Sequence, residues 1–200
     1  NIPKTGEYIT ACQKRGIPIF PPNINDSFAT FHVGICDGVR GIRFGLQAIK
    51  NVGRSFIEAV VAERTHGGDF ASPEDFVSRM GKSDINKRQL EGLIKAGAFD
   101  GLGGIRRRQL LASYEKLLEL NAERARNNLS GQMDMFALPV GGDAGAESPS
   151  QASHTAGFDY PDVPEFSLKE KLAQEREVSG MTFSGQMLDG YRRHLAALAP

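Results

Sequence analysis

GLQAIKNVGRSFIEAVVAER, Gly45 to Arg64, holds two helical patterns separated by a turn too short for an ordinary loop. Leu46 and Ile49 stand three apart before the turn. Phe56, Ile57, Val60 and Val61 recur at helical spacing after it, so each helix has one apolar face to bury. Only Lys50, Asn51, Val52 and Gly53 lie between. Gly53 permits a positive φ, Asn51 tolerates one, and Val52 is placed to plug the gap between the helices. The amides of Val52, Gly53 and Arg54 then open the second helix unpaired, with the positive end of its dipole behind them, which suits one phosphate oxygen. The stretch reads as a helix-hairpin-helix, a device that grips a nucleic-acid backbone without reading bases. The plainer alternative is a helical hairpin that only closes a core.

A second occurrence follows. INKRQLEGLIKAGAFDGLGGIRRRQLLASYEKLLEL, Ile85 to Leu120, has a helical pattern through Leu90, Leu93 and Ile94, then Phe99 and Asp100, then Gly101 and Gly103 around a plug at Leu102, then another helix. Arg106, Arg107 and Arg108 stand at the start of that helix, where cations oppose the dipole. Charge set against a helix's own preference implies that an anion is expected there; the competing reading is a solvated face.

Working outward, Glu7 to Arg15 predicts a short amphipathic helix with Tyr8, Ile9 and Cys12 inward, stopped by Gly16. Ile17 to Phe20, Phe31 to Ile35 and Gly41 to Phe44 predict short strands that brace the first hairpin. Ser72 is an N-cap before Pro73 and Asp75, opening a spacer helix anchored by Phe70, Phe76 and Val77. A long helix runs to near Arg126. Ser167 and Glu170 make a capping box for a C-terminal helix. The fold class is thus mainly α: tandem helix-hairpin-helix with a few short N-terminal strands, a flexible linker and a C-terminal helix.

The chain has 200 residues and a net charge of zero, unevenly distributed. From Arg40 to Arg126 there are 16 Lys and Arg against 11 Asp and Glu, whereas Ala137 to Ser167 has five acids and no Lys or Arg. A basic body carries an acidic segment. That segment is rich in Gly, Ala, Ser and Pro, with Phe158 and Tyr160 its only aromatics before Phe166, and is expected to be a disordered linker. At its entrance, in NLSGQMDMFALP, Gln132, Met135 and Phe136 stand where no core receives them. Such peptides dock on partners through apolar anchors and a register-fixing amide, the alternative being a staple onto the preceding helix.

Cys12 and Cys36 make no disulfide framework, and His32, His66, His154 and His194 lack ligand spacing, so no metal site and no cofactor are expected. Asp75, Asp84 and Asp100 sit where capping and turns explain them, and no cluster of metal-binding carboxylates is present for nucleotidyl transfer. The absence of a signal peptide or a long apolar run leads to the expectation of a cytoplasmic protein with no membrane partner. A start without Met, inside a helical pattern, is expected of a piece of something longer.

IRFGLQAIKNVG, INKRQLEGLIKAGAFDGLG, GQMDMF and EKLAQEREVSGMTFSGQMLDGY, in this order, together with PPNIN at Pro21 to Asn25, resemble the region after the fingers in the alpha subunit of bacterial replicative DNA polymerase III. The resemblance implies a duplex DNA-binding domain over residues 1–130, a sliding-clamp-binding peptide over 131–137, the acidic linker over 138–164, and over 165–200 a helical lead-in to an OB domain. DNA contacts would fall on Lys50, Asn51, Val52, Gly53 and Arg54, and on Gly101, Leu102, Gly103, Arg106, Arg107 and Arg108. Clamp contacts would fall on Gln132, Met133, Asp134, Met135 and Phe136. Implied partners are double-stranded DNA, the clamp (beta subunit) and other replicase subunits. The parent chain would be a DNA-directed DNA polymerase, this piece having no catalytic residues. Asn51 departs from the usual glycine, and Met135 stands where leucine is also used. Two rivals remain: a helical protein-interaction module, and a helix-hairpin-helix DNA repair enzyme with Asp69 as its only nearby carboxylate.

Overall fold

The computed structural model describes residues 2–36, 38–81, 85–136 and 158–185. The element order is α1 (Ile2–Lys14), β1 (Ile19–Phe20), β2 (His32–Cys36), β3 (Val39–Arg43), a 3-10 turn (Leu46–Ala48), α2 (Arg54–Gly67), α3 (Pro73–Met80), α4 (Lys87–Lys95), a second 3-10 turn (Leu102–Gly104), α5 (Arg107–Phe136) and α6 (Leu168–Ser179). The strands form one sheet in the order β1-β3-β2, with β1 parallel to β3 and β2 antiparallel to it. The predicted architecture is therefore present: mainly helical, with a small N-terminal sheet.

Local chemistry explains the helix starts. Ser72 Oγ accepts from the Asp75 amide at 3.2 Å, with Pro73 in the first turn of α3. Asn86 and Gln89 make a capping box on α4, and Ser167 and Glu170 make the expected one on α6. The apolar faces meet in one core: Phe44, Leu46 and Ile49 from the first turn region, Ile57 and Val60 from α2, Phe76 and Met80 from α3, Leu90, Leu93 and Ile94 from α4, and Leu110 from α5. Phe76 is its aromatic centre, edge-on to Phe56, Phe70 and Phe99.

The structure departs from the sequence expectations at four places. The element before the first turn is a single 3-10 turn rather than an α-helix. Few residues separate the end of β3 from the turn, and Gly45 is pressed so closely on the backbone of Ala29 to Phe31 that a Cβ would sit 2.6 Å from Thr30. Asn51 carries the positive φ (66°), whereas Gly53 is extended (φ −79°, ψ 153°). Tyr8 lies on the exposed side of α1, while Ile9 is buried. Residues 158–164, assigned from composition to the linker, pack on the body: Phe158 and Tyr160 stack edge-to-face and lie against the core. The remainder of that linker, 138–157, together with Asp84 and residues 186–200, lies outside the described residues.

Candidate nucleic-acid interface

The first turn presents its main chain to solvent. Val52 is buried as the expected plug, while Lys50, Asn51, Gly53, Arg54 and Ser55 are exposed. No side chain caps α2, and the amides of Gly53, Arg54, Ser55 and Phe56 have no protein acceptor among the described residues. A side chain at Gly53 would meet nothing within 4 Å, so a ligand can reach this backbone. Arg54 Nε is paired with Glu58 at 2.8 Å, an exposed i,i+4 contact that an incoming phosphate can exchange. The turn is braced from behind. The Gly92 backbone of α4 comes so near that a Cβ would sit 2.8 Å from the Lys50 carbonyl, and the Lys50 amide donates to the Val178 carbonyl of α6 at 2.7 Å.

The second turn is built differently. Gly101, Gly103 and Gly104 all have positive φ and are exposed, and the amides of Gly101 and Gly103 have no protein acceptor among the described residues, while Leu102 packs inward as the plug. The helix start beyond is closed by this chain. Glu165 accepts from the amides of Arg107 at 3.1 Å and Arg108 at 3.2 Å, as well as from Phe166 at 2.8 Å. Burial works to raise the Glu165 pKa, but these amides and the Lys171 ammonium overcome it and hold the carboxyl below its ordinary range.

The three arginines are likewise engaged. Arg107 is buried, bonded to Asp100 and to Glu175. Burial opposes its charge, yet the two carboxylates raise its pKa. Arg108 lies over the Phe166 ring at 5.2 Å. Arg106 is half-exposed, donating to the Val163 carbonyl at 3.1 Å with Asp162 at 3.6 Å. The anion implied by cations at a helix start is thus supplied from within, by Glu165, Glu175 and Asp100. The open donors of the second turn lie upstream, on its glycines.

Sequence reasoning missed Glu165 and Glu175, whose partners Arg107 and Arg108 are 57 to 68 residues away. The α5 backbone stays helical through Gln132, Met133, Asp134, Met135 and Phe136; their side-chain contacts lie outside the described residues. Asp69 is exposed rather than set in a pocket, unlike the carboxylate a repair enzyme would need. Among the described residues no group of three or more His, Cys, Asp or Glu could hold a metal ion, and no helix is long and apolar enough to cross a membrane.

Paired glycine-bearing turns with outward amides, each entering a helix, define the helix-hairpin-helix class, and a family model described as a helix-hairpin-helix motif matches residues 16–110. The chain is 38% identical over its whole length to a DNA polymerase III subunit alpha from Chlamydia pneumoniae, covering 15% of that protein. It is 36% identical over 98% of its length to the one from Saccharopolyspora erythraea, covering 16%, and 43% identical over 67% to the one from Thermus aquaticus, covering 10%. The chain belongs to the DNA polymerase III alpha-subunit family and spans about 15% of the length of these relatives.

Proposed function

We propose that this region is the sequence-independent duplex DNA-binding and sliding-clamp-binding part of a replicative DNA polymerase, contributing grip and processivity rather than catalysis. The observation that carries the reading is the uncapped, ligand-accessible start of α2, flanked by the exposed cations Lys50 and Arg54. Main-chain donors there address phosphate oxygens, which are alike in every sequence. Asn51 and Val52 shape this grip; Gly101, Leu102 and Gly103 form the second, with Arg106 at its exposed edge and Arg107 and Arg108 behind it as support. The clamp contacts are Gln132 to Phe136, presented at the far end of α5.

The test is binding of two labelled duplexes of unrelated sequence across a salt series. Equal affinities that fall log-linearly with salt are expected, and the slope should flatten by about 0.9 for each phosphate contact removed by Arg54→Ala or Arg106→Ala. Salt-independent binding, or a preference for one sequence, would overturn the DNA reading. Calorimetry against the clamp tests the peptide: Phe136→Ala should abolish the heat, and equal binding by that variant and its parent would refute the assignment.

A further inference from the structure

Glu175 is wholly buried, and a buried carboxylate persists only where its surroundings answer it. Here they do. Its Oε1 accepts from Arg107 Nη1 and Nη2, each at 3.1 Å, and from the Ser184 hydroxyl. Its Oε2 accepts from the amides of Phe183 at 2.6 Å and Ser184 at 3.1 Å. Arg107 in turn bonds both Asp100 carboxylate oxygens and the Lys95 carbonyl, so one guanidinium joins the end of α4, the second turn and the base of α5 to α6. Three residues along α6, about 4.5 Å of helix rise, the Val178 carbonyl receives the Lys50 amide of the first turn. A cleft of about 110 Å³ between Pro21, Arg43, Gly97, Asp100, Glu175 and Phe183 borders this junction. α6 is therefore fastened to both turns within a single helical turn of its own length.

We propose that Glu175 is a positioning residue for duplex binding. Acting through Arg107, it fixes the second glycine turn relative to the first, so that both meet one DNA backbone together. This rests on the DNA-binding reading above. A hydrophobic pair would hold α6 as firmly; what the forked ion pair adds is one fixed orientation, since the guanidinium plane fits the carboxylates in only a few arrangements.

The test measures log affinity against log salt for the 200-residue chain and for Glu175→Gln, on one duplex, below the melting onset of both. If the inference holds, the variant binds at least tenfold more weakly and its slope drops by about 0.9 for each contact of the second turn. Below the melting onset a role limited to stability would leave the folded fraction, and with it both affinity and slope, unchanged. An unchanged slope therefore overturns the inference and leaves the DNA reading standing. Should Glu175→Gln not fold, Arg107→Lys serves instead: it keeps the charge but offers one nitrogen in place of three, so it cannot reproduce together the five bonds that Arg107 makes to Asp100, Glu175 and the Lys95 carbonyl, and the same slope loss or its absence decides. A parent chain without salt-dependent duplex binding would overturn both readings.

Discussion

Replacing Gly53 with aspartate separates fold from function by sign. The backbone at position 53 is ordinary extended chain (φ −79°, ψ 153°), and a side chain there meets nothing within 4 Å, so aspartate enters without strain. Its carboxylate can accept from the amide of Ser55 or Phe56, giving α2 the N-cap it lacks, and it faces the positive end of the dipole. The gain over glycine is about 0.3 to 1 kcal/mol, which for a chain of this size raises Tm by about 1 to 3 °C. The same carboxylate fills the cradle that a phosphate would use. Losing one phosphate contact lowers the slope of log affinity against log salt by about 0.9, which amounts to about fivefold weaker binding near 0.15 M salt and about fifteenfold near 0.05 M. Differential scanning calorimetry and fluorescence anisotropy on the same samples read both effects. A more stable variant that binds duplex as tightly as its parent, with the same slope, would remove the α2 start from the DNA surface.

Glu165→Gln should lower Tm at neutral pH, because the amides of Arg107, Arg108 and Phe166 lose a charged acceptor. The Glu165 pKa is depressed in the fold, so its contribution is full above the unfolded value of about 4.3 and fades as pH falls through the folded one. A melting gap between parent and variant that stays constant into acid would contradict this. Gly92→Ala drives a Cβ into the Lys50 carbonyl and should destabilise by about 1 to 3 kcal/mol, measured by urea unfolding, with a parallel loss of duplex binding as the first turn is pushed away. Ser72→Ala removes the cap of the eight-residue α3 and should cost about 1 kcal/mol in the same assay, without change in the salt slope.

The features read correctly from sequence are the local ones. Ser72 with Pro73, and Ser167 with Glu170, signal helix starts within four residues, and the partners that satisfy them lie in the same window. The plugs Val52 and Leu102 were legible for the same reason. What escaped depends on distant chain. The arginine run pointed to an anion but could not reveal that Glu165 and Glu175 lie against it. Phe158 and Tyr160 looked too isolated to order a segment, because their contacts are with a body already formed. The Tyr160 phenol is buried deeply enough, beside Glu74, to lie well above its ordinary pKa. At the first turn the residue types were right and their division of labour was not: Asn51 takes the left-handed conformation, and Gly53 supplies room instead.

The return of the chain at Phe158 gives the architecture a property that the order of its elements conceals. Arg107 and Glu175 lie on opposite sides of residues 137–157, as do Lys50 and Val178, so the contacts that close the body do not depend on the peptide bonds between those two stretches. A cut made there would yield two polypeptides that complement each other, neither holding both halves of the buried ion pair. Reassembly from separately produced pieces would then report, in a single mixing experiment, how much of the grip on DNA belongs to the half that carries no hairpin.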